Sequence, residues 1–341
     1  MENGEHPLLL SSISDEYRNS AHEEDPVGSG TGIKYFYKEF CVESKKLWYL
    51  AAPAIFTSIC QYSLGAITQV FAGQLGTTEL AMVSVENSIV AGFCYGILWG
   101  MGSALETLCG IAFGAGQLSL ASALMLALEI WYTMALTLFA GYLNDAEVSV
   151  DASSICLNIM GWAIMVGFGF NAAISVRVSN ELGAANPRAA KISAAVVGVT
   201  SALIGFVLAL VLIVTGKQYP SLFSTDADVI EIVYELTPLL AAAILIYNIQ
   251  FSLAGVAIGA GWQSYVAYVN LGCYYLVGIP TSLLLAFKFD MGVQGIWWGI
   301  LVGTTLEASI LSWIIYRTNW NKEASSAGDK LQQWGGILDD I

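Results

Sequence analysis

The sequence predicts an all-α fold, a polytopic helical membrane protein with about eight transmembrane helices. Three observations predict it. The 341 residues are 56% hydrophobic and 12% charged, with mean hydropathy +0.64; a soluble domain carries about 25% charged residues. The apolar residues gather into windows of the ~20 residues a bilayer crossing needs. Lys and Arg fall almost wholly on one side of those windows. These features exclude a soluble multidomain protein, a secreted disulfide scaffold, a disordered chain and a nucleic-acid binder. The lipid bilayer is the first partner.

The chain opens with an acidic tail, residues 1–46. Nine of the 27 acids lie before residue 44, so much of the net charge of -14 is local and solvated. This stretch has no apolar core of a cleavable signal, so span one must serve as its own insertion signal. Glu5, three residues ahead of Leu8-Leu9, has the form of a dileucine address for a vacuolar or lysosomal membrane.

The spans follow at about 48–71, 80–108, 119–142, 153–178, 190–215, 231–258, 265–287 and 292–316, with boundaries uncertain by about four residues. Turn residues separate them, such as Gly73–Gly76 and Asn186-Pro187. A second tail covers 318–341. With the N-terminus in the cytosol, 11 of the 13 basic residues fall inside and only Lys217 and Lys288 outside. The even number of spans places both termini in the cytosol. The outside connectors are acidic, with Glu79, Asp145, Glu147, Asp151, Asp226 and Asp228.

No enzyme motif occurs. Both His, His6 and His22, are in the tail, and the six Cys show no metal spacing, so neither a cofactor nor a metal is expected. The chemistry lies inside the apolar windows. Glu86 and Glu106 fall in span two, Glu129 in span three and Glu307 in span eight. An ionisable group in a bilayer is expensive, so it reads as functional by default. Glu106 is close enough to the cytosolic end to reach water. Glu307 reads equally well as a satisfied structural group. Glu129, beside Trp131 and Tyr132, is nearest mid-helix and is the best proton carrier.

Gln61 and Gln69, Asn87, Asn158 and Asn171, Asn248 and Gln250, and Asn270 accompany them. Singly each is explained by helix–helix hydrogen bonding; together they favour a polar cavity. Trp131, Tyr132, Trp162, Tyr247, Tyr274 and Tyr275 are deep enough to stack on planar solutes or to fill a core. Gly92, Gly96 and Gly100, Gly295, Gly299 and Gly303, and Gly255 and Gly259 are small-residue stripes that allow close helix packing. Pro53, Pro238 and Pro280 fall inside spans and are sites for kinks.

An internal echo, Gly114-Ala115-Gly116-Gln117 and Gly183-Ala184-Ala185-Asn186, recurs at an offset of 69 residues. Longer ordered stretches carry a resemblance: Ala66–Leu75, Ala104–Gln117, Ala173–Pro187, Gly255–Gln263, Ala267–Pro280 and Gly292–Gly299. Over about residues 35–322 the chain resembles plant members of the multidrug and toxic compound extrusion (MATE, or DETOXIFICATION) family. The likeness is nearest to the branch that includes vacuolar flavonoid carriers. The resemblance implies two six-helix lobes across a cleft, and export of a small organic substrate against protons. Glu129 falls on the acidic position of the first helix of the second lobe. It also implies a departure. Residues 47–117 match two spans of the first lobe, and 118–317 match all six of the second. Family helices three to six are missing at Gln117–Leu118, as in a splice variant or a misassembled gene model.

The expected proton-coupling residues are therefore Glu129 and Glu86. The expected substrate contacts are Gln61, Asn87, Tyr132, Asn158, Tyr247 and Gln250. Relatives often have Asp or Asn where this chain has Tyr247, so a proton role is not expected there. The expected function is proton-coupled export of xenobiotics or flavonoid-type metabolites across the vacuolar membrane, with the plasma membrane as the alternative. A short form with two first-lobe helices equally suggests an inactive protein that is degraded or that associates with itself or with a full-length relative.

Overall fold

In hydrocarbon each backbone N–H and C=O must be satisfied within its own segment, and helices do this. The computed structural model describes residues 33–76, 82–83, 116–143, 146–216 and 218–327, without the side chains of 33–36, 73 and 116–126; its described regular structure is helical. In chain order come α1 (Ile33–Leu75), α2 (Gly116–Ala140), α3 (Ala146–Gly183), α4 (Pro187–Thr215) and α5 (Ala227–Gly259). The next span, Gln263–Lys288, is composite: α6 (Gln263–Asn270), a π-helical segment Leu271–Gly278, α7 (Ile279–Leu283) and a second π segment Leu284–Lys288. Helix α8 (Gly292–Arg317) completes the bundle. Six of these helical stretches are long and apolar enough to cross a membrane, and Ala127–Ala140 is a shorter apolar part of α2. The expected span at 80–108 lies outside the described residues except for 82–83, which are helical.

Two helices overrun the apolar windows by more than the expected margin. Helix α1 starts at Ile33 rather than near 48, and α3 covers Ala146–Gly183 rather than 153–178. Hydropathy marks the part of a helix that suits lipid, whereas hydrogen bonding propagates until a breaker stops it. For α3 the stop is Ala185 at φ 57, followed by Asn186 and then Pro187 at the first position of α4. At the other end of the bundle Asp226 caps α5, its carboxylate accepting from the amides of Asp228 and Val229 at 2.9 and 3.4 Å.

The prolines behave in two ways. Pro53 and Pro238 sit inside α1 and α5, which continue through them. Pro280 sits in the composite span between its two π segments. There the amide of Ile279 bonds to the carbonyl of Tyr274, five residues back. The amide of Phe289 bonds to Leu284 in the same way, at 3.1 Å. These wide turns are the local cost of threading a proline through the span, and they re-aim the side chains around Tyr274.

The chain divides into two compact units, Met1–Cys41 and Val42–Ile341. Of the first, the described part is the opening of α1. In the second, glycine stripes set the closest approaches. A Cβ at Gly255 would lie 2.6 Å from the carbonyl oxygen of Asn171, and one at Gly259 would lie 2.5 Å from that of Ser175, so α5 rides directly on the α3 backbone. The α8 stripe does the same against the composite span, Gly295 meeting Ala286 and Gly299 meeting Ser282. The resulting core draws on α2, α3, α4, α5, the composite span and α8, with Tyr132, Tyr247, Tyr274 and Trp297 fully buried.

From residue 42 onward α1 lies along α3. Ile55 abuts Gly169, and Tyr62 abuts Gly161 and donates to the carbonyl of Asn158 at 3.2 Å. The amide of Asn158 donates to Gln69 Oε1. The other face of α1 is apolar and open, with Tyr49, Phe56, Leu64, Phe71 and Leu75 all exposed. At the basic end a buried ion cluster ties three helices. Arg177 on α3 grips Glu43 on α1 with two bonds, 2.5 and 3.0 Å, and reaches Glu181 at 2.7 Å. Ser193 on α4 donates to Glu43 at 2.5 Å.

Two predictions follow from this packing. Arg177→Ala strands Glu43 in the bundle and lowers stability by about 3–5 kcal/mol. Gly259→Val forces α5 off α3 and costs about 1–3 kcal/mol, whereas Gly198→Ala, which meets nothing within 4 Å, is neutral. Thermal unfolding of the detergent-purified protein, followed by the loss of monodisperse elution, measures all three.

Candidate functional site

An isolated carboxylate in an apolar bundle must acquire hydrogen-bond donors, a counter-charge or a proton. Two of the four sequence-predicted intramembrane carboxylates are within the described residues, and the fold brings them together. Glu129 on α2 is 6% exposed and Glu307 on α8 is fully buried. Between them stands Tyr274, on the first π segment. Its hydroxyl donates to Glu307 Oε2 and lies 3.5 Å from Glu129 Oε1, the outer limit of hydrogen-bond reach. The other oxygen of Glu307 accepts from Gln250 Nε2 at 2.9 Å.

The phenol is held in place from behind. Tyr132, one turn minus one residue beyond Glu129 on α2, stacks on Tyr274 with centroids 4.5 Å apart and planes 7° from parallel. Its own hydroxyl donates to the carbonyl of Gly299 at 3.0 Å. This fit needs the absence of side chains nearby: a Cβ at Gly278 would come within 2.6 Å of the Tyr132 hydroxyl, and one at Gly303 within 3.0 Å. Tyr247, buried on α5, lies in electrostatic reach of both carboxylates and stacks at 6.0 Å on Phe251. Tyr275 turns away and donates to the carbonyl of Leu128 at 3.0 Å.

Among the described residues no cation faces the two acids. Ion pairs at the basic end join Glu43 and Glu181 to Lys46 and Arg177. Nor does any group of three His, Cys, Asp or Glu with metal-binding geometry occur among the described residues. Toward the acidic end lies a small, mostly apolar cavity, where Leu136, Leu157, Ile296, Ile300 and Trp297 surround the hydroxyl groups of Thr133, Thr137 and Ser153. Thr133 is one turn from Glu129, and the hydroxyl of Ser153 is buried without a partner. The arrangement is suited to holding and passing a proton.

Of the sequence-predicted site residues, Glu129, Tyr132, Tyr247 and Gln250 gather here. Asn158 does not. It belongs to a separate polar seam between α1 and α3, where it bonds Gln69 and accepts from Trp162 Nε1 at 3.2 Å. Gln61 is exposed on α1 and joins neither cluster; Tyr62 and Gln69, seven residues apart, hold the inward face instead. Glu86 and Asn87 lie outside the described residues. The residues that sequence reasoning left out of the site are Glu307 and Tyr274. The signal for Glu307 was its charge in an apolar window, and for Tyr274 its depth, but nothing in one sequence says that spans three, seven and eight adjoin.

Comparison with known proteins agrees with this architecture. The family profile described as MatE matches twice, over residues 53–123 and 121–284. Protein DETOXIFICATION 29 of Arabidopsis thaliana is 41% identical over 469 residues, covering 93% of this chain and 94% of that protein. Protein DETOXIFICATION 31 of the same plant is 40% identical over 459 residues, covering 90% and 88%. The crystal structure of the eukaryotic MATE transporter AtDTX14 superposes with a TM-score of 0.79, covering 86% of this chain and 99% of that one at 23% identity, a likeness of fold. The first alignment exceeds the 341 residues of this chain by 128, so at least that many of its positions have no counterpart here. The repeated profile match, the identity of about 40% along nearly the whole chain and the shared fold show that this membrane protein belongs to the MATE family of transporters, not to a class of enzymes.

Proposed function

We propose that the chain is built to exchange protons for organic compounds, exporting xenobiotics or flavonoid-type metabolites from the cytosol across the vacuolar membrane, with both termini cytosolic. The observation that carries this reading is Glu129, a carboxylate buried in mid-helix beside stacked tyrosines and a second acid, with no cation next to it among the described residues. Such a group takes a proton from one side and yields it to the other as the substrate passes. The Lys and Arg asymmetry supports the orientation, and the Glu5/Leu8-Leu9 address supports the vacuolar membrane.

A second reading has its own observation. The first MatE match is cut short at residues 53–123, whereas the second covers 121–284, and the alignment to Protein DETOXIFICATION 29 leaves many positions unmatched. On this reading family helices three to six are absent, and two first-lobe helices do not enclose a cleft. The chain is then an inactive short form that is degraded or that associates with itself or with a full-length relative through its unpaired apolar faces.

Proton-driven efflux of a dye or flavonoid from vesicles separates the two. We expect the intact chain to export solute, and Glu129→Gln to reduce export at least about tenfold at unchanged expression. Absence of export by the intact chain, beside export by a full-length relative, selects the inactive short form.

A further inference from the structure

We infer that Glu307 is the second proton-holding carboxylate of this site, and that the Tyr274 hydroxyl hands the proton between Glu307 and Glu129. The inference rests on the exchange reading above and extends it to two residues which that reading does not use. Glu307 is not a satisfied structural acid of the ordinary kind. It has two neutral donors, Tyr274 and Gln250, and it acts electrostatically on another carboxylate, Glu129. Two anions side by side in an apolar bundle, with no cation among the described residues, repel each other and lose their hydration. One bound proton relieves both costs, and the Tyr274 phenol, within hydrogen-bond distance of both acids, is the group able to share it.

The transfer balances without any further reactant. The carboxylic acid of Glu129 gives its hydrogen to the Tyr274 oxygen while the phenolic hydrogen passes to the Glu307 carboxylate. One O–H bond breaks and one forms at the phenol, which ends as it began, and one proton has moved from α2 to α8. The reverse sequence returns it. Gln250 holds the far oxygen of Glu307, so the near oxygen stays turned to the phenol. Stacking on Tyr132 keeps the phenol ring from swinging out. The titratable groups that face the pair are Tyr132 from α2, Tyr247 from α5, and Cys273 and Tyr274 from the π segment.

The test does not depend on transport. Infrared pH-difference spectra of the purified full-length chain in lipid follow the C=O band of protonated carboxyl groups. In wild type we expect the two acids to titrate as a coupled pair. Glu307→Gln then moves the midpoint of the remaining Glu129 band by more than about one pH unit, Glu129→Gln does the same to Glu307, and Tyr274→Phe shifts the band frequency of both. A Glu129 midpoint unchanged by Glu307→Gln, with no response to Tyr274→Phe, overturns the proposal. If Glu307→Gln is lost on extraction, Glu307→Asp reads the same midpoint. Coupled bands in a chain that exports nothing defeat the exchange reading alone. Export that collapses in Glu129→Gln while Glu307→Gln leaves the Glu129 midpoint in place defeats this inference alone.

Discussion

The hydroxyl of Tyr274 touches two carboxylates carried by different helices, and the surrounding lobe is arranged to make that contact possible. A charge in hydrocarbon is tolerated only where the protein supplies what water would have supplied. Here the supply among the described residues is sparse: one phenol and one amide. A richer set of donors or a buried Arg would fix both acids as permanent anions. On the proposed exchange reading, sparseness keeps a proton exchangeable, and the lack of a cation at the site among the described residues serves that exchange.

Local backbone features serve the same contact. The glycines of α8 bring that helix close enough for Tyr132 to reach the carbonyl of Gly299, and bulk at Gly278 or Gly303 would push Tyr132 off the face of Tyr274. The π segment Leu271–Gly278, closed by the five-residue bond from Ile279 to Tyr274, sets the direction of the phenol. Stripes of small residues and a proline in a span thus act on chemistry through geometry, although none of them carries a polar side chain. The ion cluster around Arg177 works at the other end of the bundle. It anchors α1, α3 and α4 where their ends leave the apolar layer, so it fixes the frame without entering the site.

The fold was legible because hydropathy and charge asymmetry are one-dimensional signals. Helices α4, α5 and α8 match their windows closely, since their ends coincide with Pro187, Asp226 and Gly292. Helices α1 and α3 overran theirs because a helix does not stop where its apolar stretch stops. The site was half legible. Glu129 and Gln250 stand out as polar groups in apolar spans, and both take part. Glu307 and Tyr274 carry the same signal, but their importance depends on which spans are neighbours, and that is a three-dimensional fact. Asn158 carries that signal too: it is buried and polar, and it faces α1 and spends its hydrogen bonds there, apart from the carboxylates.

Among the described residues, the side chains of the carboxylate site come from α2, α5, the composite span and α8, that is, from residues 129–307. None comes from α1, whose contribution is the separate Gln69–Asn158 seam. Holding a proton and moving a solute are therefore separable demands on this chain. On the proposed reading, the first needs only the helices that carry these side chains. The second needs a facing wall against which those helices can open and close, and the short first MatE match covers the segment that would supply it. On the proposed reading, a protein arranged in this way keeps its proton chemistry even where alternating access is impaired. The state of the two carboxylates reports on the lobe itself, and solute movement reports on what stands opposite.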